Sequence, residues 1–467
     1  MSSAWSFVGR NHELDQLDRE FAKIDERGRG RLLLLRGRRQ VGKSTLLSEW
    51  VRRRGVPAAL FTASRRSPER EVELFTREIA DSALPSAPAF AAARPRDWDD
   101  ALSLLASTHP PTVPAVVVID EFPYLVRDDP SVESTIQKLW DRRLINLPLL
   151  LILVGSDLAL MAALTSYDRP LYGRPNRELA VDPLAPGDVG NLLGLDPADA
   201  IDAYLVVGGL PGVVTSWGRG ARLQPFVESE LSTSTSPLVV MGERSLNAEF
   251  PPDAHARRVL DSVGSGQRTF RSIGDRAAIS DATLSGALPL LMAKGVVAVD
   301  EPLSARQTRK LRRYRVADPY LRFWLRFIGP QLPELEGGRA HVAISRLWAG
   351  WPSYRGVAVE PVVRAAIQRL LPDTRFGPAD RVGSWWTRSN DEEVDLVGMA
   401  EGRVAFAGSI KWRDRLPFDD RDRAQLVQAA ARIPGADPDT LLVGVSRAGF
   451  TTDELDVALG ASDLIGG

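Results

Sequence analysis

The 467-residue chain contains no cysteine, so it can form neither disulfide bonds nor thiolate metal sites. Its four histidines are scattered at positions 12, 109, 255 and 341, which argues against a histidine-ligated metal ion. The longest apolar run, Leu147–Gly155, is far shorter than the roughly 20 residues that span a bilayer. The 59 basic and 60 acidic side chains nearly cancel, so net charge indicates no partner. We therefore predict a cytoplasmic protein of about two to four domains without a membrane segment.

A glycine-bounded loop stands between a predicted strand and a predicted helix. The apolar run Leu32–Leu35 precedes the segment GRRQVGKST, and LLSEWVRR follows it. This order is typical of a P-loop, whose backbone N–H groups point at phosphate oxygens. Lys43 would reach the β- and γ-phosphates of ATP, and the Ser44 hydroxyl would bind Mg²⁺. The predicted nucleotide-binding residues are Gly37, Arg38, Arg39, Gln40, Val41, Gly42, Lys43, Ser44 and Thr45.

A second strand-end motif follows about 80 residues later. The buried run from Ala115 to Ile119 ends in Asp120 and Glu121, as a Walker B segment does. Asp120 would hold the Mg²⁺ shell, and Glu121 would deprotonate the attacking water. Ser156 ends a later strand, where it would either contact the γ-phosphate or the water, or cap a helix. Because strands alternate with helices, we predict a parallel sheet with helices on both faces and these residues at its carboxyl edge.

Arginines follow the last strand of the predicted core. Arg174, and less favourably Arg169, would serve as an arginine finger on the γ-phosphate, in cis or from a neighbouring copy. The alternative is that both are surface arginines. Residues 184–250 contain short helices interrupted by the segment GGLPGVV, which predicts a helical lid.

Residues 251–316 change character. Helices at about 253–263, 268–276 and 280–293, followed by two β-like pieces, predict a winged helix. A hairpin this basic would contact DNA phosphates, or else pack as a solvated hairpin on the core. The loop 83–96 and a helix over 357–371 are further predictions. The basic residues of the hairpin are Arg306, Arg309, Lys310, Arg312, Arg313 and Arg315.

Several motifs together resemble a known family. FVGR, GRRQVGKST, VVVIDEFPYL, LVGSDLALM, LYGR and GGLPGVV resemble the archaeal-type ATPases of the AAA+/STAND group. YRVADPYLRFWLRFI and the region after it resemble the DUF234 domain. The resemblance implies an α/β fold with a P-loop ATPase core (1–182), a helical lid (183–250), a winged helix (251–317) and a C-terminal domain of the PD-(D/E)xK nuclease type (318–467).

A nuclease site of that type needs carboxylates to hold Mg²⁺ and a lysine near the attacking water. Asp395 and Lys411 match the two halves of the pattern, but the acid expected two residues before the lysine is Ser409. A serine cannot replace the charge of a carboxylate on Mg²⁺, although Glu360 and Glu393 could help. The pattern therefore predicts a nuclease-like fold with weak or no cleavage.

The expected function is ATP binding and hydrolysis with Mg²⁺, in a protein whose C-terminal half is directed to double-stranded DNA. A homo-oligomer is compatible with this expectation. Two alternatives remain open: a nucleotide-dependent DNA-binding or scaffold switch with little turnover, and an active ATP-regulated nuclease.

Overall fold

The structure is a computed structural model that describes residues 7–250, 254–304, 311–389 and 391–465. The chain divides into two compact units, Phe7–Pro183 and a second that begins at Leu184. No helix in these described ranges is both long and apolar enough to cross a membrane.

The first unit is built on five parallel strands in the order β2-β3-β4-β1-β5, which confirms the predicted parallel sheet. The strands are β1 (Arg31–Arg36), β2 (Ala58–Thr62), β3 (Ala115–Asp120), β4 (Leu149–Gly155) and β5 (Arg177–Ala180). The helices are α1 (Asn11–Arg27), α2 (Lys43–Arg54), α3 (Pro68–Ala80), α4 (Ala87–Ala92), α5 (Trp98–Thr108), α6 (Phe122–Asp128), α7 (Ser131–Arg142) and α8 (Leu158–Ala163).

Strands β3 and β4 are buried along their whole length, as their apolar runs require of a sheet covered on both faces. The predicted loop at 83–96 is wrong in part, because α4 lies within it. Pro88 stands in the first turn of α4, where a missing backbone N–H breaks no helical hydrogen bond. The sequence therefore allowed a helix where its prolines had suggested a loop.

The second unit is mainly helical at first and ends in a mixed sheet. Its helices are α9 (Pro186–Leu193), α10 (Pro197–Val207), α11 (Pro211–Val214), α12 (Leu223–Leu231), α13 (Pro237–Glu249), α14 (His255–Gly264), α15 (Phe270–Ala277), α16 (Asp281–Ala293), α17 (Pro319–Phe323), α18 (Leu332–Glu336), α19 (Ala340–Leu370), α20 (Asp420–Ala430) and α21 (Ala461–Ile465). Its strands are β6 (Val297–Asp300), β7 (Arg313–Val316), β8 (Arg381–Trp386), β9 (Glu393–Ala400), β10 (Arg403–Lys411), β11 (Leu441–Ser446) and β12 (Val457–Leu459).

Strands β6 and β7 form an antiparallel hairpin after the three helices α14, α15 and α16, in the predicted order. The backbone N–H of Thr283 donates to the Ser280 hydroxyl, so Ser280 caps α16. The larger sheet has the order β12-β11-β10-β9-β8, with antiparallel pairs around β9 and parallel pairs around β11. Whether helices α14, α15 and α16 and the β6–β7 hairpin form a winged helix stays a prediction.

Helix α19 is longer than predicted, since it begins at Ala340 rather than at Val357. Pro352 and Pro361 lie inside it, and each removes a helical hydrogen bond. Buried side chains along the helix, such as Leu347 and Val363, provide the tertiary packing that outweighs this loss.

The aromatic segment before α19 belongs to the core of the second unit. The Tyr320 hydroxyl donates to the carbonyl oxygen of Leu238 at 3.0 Å, and the Trp324 indole N–H donates to that of Val239 at 2.7 Å. Both rings are fully buried. Their polar atoms are satisfied by backbone, which allows such large side chains to lie inside the unit.

Candidate functional site

The loop between β1 and α2 is held in a tight curl by its backbone. Gln40 and Gly42 have φ angles of 65° and 90°, in the left-handed region. A side chain on Gly37 would place its Cβ 2.4 Å from the carbonyl oxygen of Val181, so only glycine fits there. Gly37 and Gly42 of the motif are therefore required by the conformation and the close packing of this loop.

Lys43 lies inside this loop. Its Nζ atom donates to the carbonyl oxygens of Gly37 and Arg38 at 2.9 and 3.0 Å, and the residue is buried. Burial lowers the pKa of Lys43, while the negative charges of Glu121 and Asp120 oppose that effect. The ammonium group is thus positioned at the centre of the loop, beside two carboxylates.

The start of α2 and the end of β3 meet at a hydroxyl and a carboxylate. The Ser44 hydroxyl donates to Asp120 Oδ2 at 2.5 Å, and the backbone N–H of Glu121 donates to Asp120 Oδ1 at 2.8 Å. These are oxygen ligands of the kind that Mg²⁺ prefers, so the residues fit that ion. In the described ranges no three His, Asp or Glu side chains form a metal-binding group, so water and phosphate oxygens would complete the shell.

Ser156 contacts the predicted base itself. Its hydroxyl lies 2.8 and 3.0 Å from the two carboxylate oxygens of Glu121 and donates to that group. Glu121 has a left-handed backbone, with φ 53°. The helix-cap alternative for Ser156 is wrong, because Asp157 caps α8 by accepting from the Leu160 N–H at 3.0 Å. The sequence could not identify this pairing, since the two residues are far apart along the chain.

The second unit brings together part of the predicted nuclease-like cluster. Asp395 Oδ2 accepts from the Ser409 hydroxyl at 3.1 Å and from the Ile410 N–H at 2.8 Å across the β9–β10 pair. Burial raises the pKa of Asp395, and the charge of Lys411 partly offsets this rise. Lys411 Nζ lies 3.5 Å from Asp422 Oδ1, an acid that the sequence pattern did not suggest.

Two family descriptions match the chain. Residues 7–216 match an ATPase domain found predominantly in Archaea, and residues 324–425 match DUF234, described as archaeal and bacterial proteins of unknown function. The chain therefore carries an archaeal-type ATPase domain followed by a DUF234 domain. A relative from Methanocaldococcus jannaschii, described as uncharacterized protein MJECL04, is 24% identical over 422 residues, which are 89% of each chain.

Among the solved structures to which this chain is similar are two proteins. The Walker-type ATPase PABY2304 of Pyrococcus abyssi has a TM-score of 0.49 and 21% identity, over 68% of this chain and 96% of that one. The ORC2 protein of Aeropyrum pernix, in its ADPNP–ADP complexes, has a TM-score of 0.42 and 13% identity, over 74% of this chain and 97% of that one.

Arg10, which lies outside the P-loop motif and was not among the predicted site residues, contacts the P-loop of the ATPase domain. Arg10 Nη2 donates to the carbonyl oxygen of Val41 at 2.8 Å, and Arg10 Nη1 pairs with Glu13 at 2.9 Å. Gly9 and Arg10 both have left-handed backbones, with φ 72° and 67°. The glycine of the FVGR motif was the available signal, because glycine adopts a left-handed backbone without steric cost.

At the mouth of the loop, Arg39 donates to the Tyr124 hydroxyl, and the guanidinium carbon of Arg65 lies 4.5 Å from the centre of the same ring. The two candidate finger residues are instead paired with α7. Arg174 Nη2 lies 3.0 Å from Asp141 Oδ2, and Arg169 Nε lies 3.2 Å from Glu133 Oε1. A finger role for either stays a prediction, and it would require that ion pair to break.

In the second unit, Glu360 reaches the same cluster from α19. Arg364 Nη1 lies 3.4 Å from Glu360 Oε2 and donates to the carbonyl oxygen of Asp395 at 3.0 Å. Burial raises the pKa of Glu360 to about 7, Arg364 opposes the rise, and the negative charge of Asp395 adds to it. Glu360 is therefore largely neutral below neutral pH.

The basic hairpin is only partly described. Arg306, Arg309 and Lys310 lie outside the described residues. Each arginine on its arms has an acidic partner: Arg312 pairs with Glu301 at 2.8 Å, Arg313 with Glu393 at 2.7 Å, and Arg315 with Asp300 at 3.0 Å.

Replacing Glu360 with Gln should make stability less sensitive to pH. Between about pH 4.5 and 7 the unfolded chain has lost this proton while the folded protein retains it, so rising pH favours unfolding. Stability from this group is thus full below pH 4.5 and lost by about pH 7, an effect of about 3 kcal/mol. We expect the melting temperature of Glu360→Gln, relative to the parent, to be higher at pH 8 than at pH 5.

Scanning calorimetry at both pH values provides the test. Glu336→Gln replaces an exposed carboxylate and is the control. Its melting temperature should differ from that of the parent by the same amount at both pH values. A Glu360→Gln difference that does not change with pH would contradict the prediction.

Proposed function

We propose that the protein hydrolyses ATP with Mg²⁺ at the site formed by Lys43, Ser44, Asp120, Glu121 and Ser156. The observation that carries the proposal is the meeting of three groups at the carboxyl edge of one parallel sheet: the buried lysine, the Ser44–Asp120 pair and the Ser156–Glu121 pair. Such an edge is where α/β proteins of this topology bind ligands.

Each residue has a distinct task in this proposal. Lys43 neutralises the β- and γ-phosphates, and the N–H groups of the loop bind their oxygens. Ser44 and Asp120 would hold Mg²⁺, and the ion would supply positive charge to the phosphates. Glu121 takes the proton of the attacking water, and Ser156 fixes the orientation of its carboxylate.

Two variants separate binding from chemistry. Lys43→Ala should lose tight ATP binding, because it removes the buried cation of the loop. Glu121→Gln should bind ATP like the parent but lose turnover by roughly 10²–10⁴-fold, because the base is gone and the Mg²⁺ ligand remains. Equilibrium binding and steady-state phosphate release measure the two effects.

Glu78→Gln, an exposed change on α3, is the control and should behave like the parent. Hydrolysis that persists undiminished in Glu121→Gln would place the base elsewhere and contradict the proposal. If the parent binds ATP normally but releases as little phosphate as Glu121→Gln does, the alternative of a nucleotide-dependent switch would be favoured.

The second part of the proposal is contact with double-stranded DNA through the basic hairpin, taken as the wing of a winged helix at 251–317. The ion pairs of Arg312, Arg313 and Arg315 indicate which basic residues would contact the DNA. Because acids already neutralise the arms, phosphate contacts would depend on Arg306, Arg309 and Lys310, whose structure is outside the described ranges. The competing interpretation, a hairpin that only packs on protein, predicts no such dependence.

Replacing Arg309 and Lys310 with Ala should weaken duplex binding. It should also reduce the slope of log affinity against log salt by about one unit for each lost phosphate contact. Arg312→Ala, which removes a charge already paired with Glu301, serves as the matched control and should change the slope much less. Fluorescence anisotropy at several salt concentrations measures both. An unchanged slope in the Arg309/Lys310 variant would support protein packing instead.

The third part is a nuclease-like DUF234 domain at 318–467 that does not cleave. It is supported by Ser409 in the position expected of an acid and by the Lys411–Asp422 contact, which occupies the lysine. With too few carboxylates, the cluster would not offset the dehydration of Mg²⁺. The helical lid at 183–250 completes the proposed arrangement.

The parent should leave supercoiled plasmid intact with Mg²⁺ or Mn²⁺. Ser409→Glu should introduce weak nicking if the remaining ligands are in place, whereas Ser409→Gln, which adds bulk without charge, should not. Gel analysis of the plasmid distinguishes the forms. If the parent cleaves the plasmid robustly and Asp395→Ala abolishes that cleavage, this part of the proposal is contradicted and the alternative of an active nuclease is supported.

A further inference from the structure

We propose that a cavity inside the second unit binds a small organic phosphate of about nucleotide size, at a site separate from the P-loop. The cavity has a volume of about 330 Å³ and lies among α14, the β6–β7 hairpin, the segment after α17, helix α19 and strands β8 and β9. Nothing in the ATPase proposal uses it. The six arginines that line it are Arg268, Arg313, Arg315, Arg322, Arg326 and Arg364.

Three of these arginines form ion-pair contacts with the acids of the cavity. Arg313 pairs with Glu393 and Arg315 with Asp300, as described for the hairpin, while Arg364 pairs with Glu360. Asp300, Glu360 and Glu393 are the acids that line the cavity. One acid is thus assigned to each of three arginines, and three arginines are left over.

The remaining three guanidiniums form no ion pair with a residue in the part of the chain that the structure describes, although the charges of Asp300 and Glu360 act on Arg322. Arg322 donates to the carbonyl oxygens of Val316 at 2.8 Å and Ala358 at 3.2 Å, and Arg326 donates to that of Ser265 at 2.6 Å. Carbonyl groups orient these side chains without cancelling their charge. Burial lowers the pKa of Arg322 only to about 10, so it is protonated at neutral pH.

Arg268 is the most available of the three. Its side chain makes no hydrogen bond or ion pair to any described residue, although its charge acts on Glu360 across the cavity. Its backbone is fixed, because its carbonyl oxygen accepts from the Tyr314 N–H at 2.7 Å. Three excess positive charges that face one cavity are best satisfied by a ligand with at least two negative charges.

The rest of the wall selects the kind of anion. Val316, Ala358 and Pro361 give it an apolar side, and the ring of Trp386 lies at another side with the Arg313 guanidinium 4.3 Å from its centre. A phosphate group would bind between the guanidinium forks while an apolar or aromatic portion lies on this wall. The volume is at the lower end for small-molecule sites. A nucleic-acid strand would instead need an extended open groove.

Calorimetric titration can test this in the Lys43→Ala background, which silences the P-loop. The probes are adenosine monophosphate, adenosine and inorganic phosphate. We expect adenosine monophosphate to bind, adenosine not to bind, and inorganic phosphate to bind at least ten times more weakly than adenosine monophosphate. Arg268→Gln should weaken binding of adenosine monophosphate at least tenfold, because the phosphate loses a cation. Arg271→Gln, an exposed change on α15, should leave it unchanged.

The Arg268 side chain makes no hydrogen bond or ion pair to any described residue, so its variant should melt close to the parent, and Arg326→Gln provides a second test. Absence of binding by adenosine monophosphate at millimolar concentration would overturn the proposal, as would equal binding by Arg268→Gln. Equal affinity for inorganic phosphate would overturn the assigned role of the apolar wall. If a short single-stranded oligonucleotide displaces adenosine monophosphate and binds through the same arginines, the ligand of this cavity is nucleic acid and the proposal of a small phosphate is overturned. None of these outcomes depends on whether Glu121 supports hydrolysis.

Discussion

The parallel hydrogen bonding of β1 with β4, and of β4 with β3, is the constraint on which the ATPase domain depends. The register pairs Arg36 with Gly155 and Ile119 with Leu153, so all three strands end at one edge of the sheet. The residues that follow these ends then meet without needing to be close in sequence. A slip of one residue would turn Asp120 to the opposite face and separate it from Ser44.

The two units treat positive charge differently. In the ATPase domain a single lysine is buried against backbone carbonyls and two carboxylates, a geometry that a phosphate can enter by replacing the carbonyls. In the second unit arginines are placed along the hairpin and α19, and most are paired or orient on carbonyls. Unpaired charge, rather than the number of arginines, is therefore the better guide to where an anion can bind.

The sequence was most informative where a pattern is local. The P-loop and the Asp120–Glu121 end of β3 are short motifs whose flanking apolar runs determine the strands, and both were predicted. Strand β5 was missed because only Leu179 among its four residues is buried, which leaves no periodic signal for an edge strand. The beginning of α19 was missed because its prolines obscured a helix that tertiary packing maintains.

Contacts between distant residues could not be predicted from the sequence. The Ser156–Glu121 bond depends on the order of strands, and the Lys411–Asp422 contact depends on how α20 returns to the sheet. Local motifs therefore indicated which chemistry to look for, whereas the three-dimensional path of the chain determined the partners.

The left-handed backbone of Glu121 has a consequence for how this protein can change. A residue with a side chain loses roughly 1–2 kcal/mol in that conformation, and glycine would not. At this one position, a substitution that makes the fold more stable would remove the carboxylate that faces Ser156. Stability and the proposed chemistry thus favour different amino acids at position 121, so selection for a more stable fold alone would tend to remove this carboxylate.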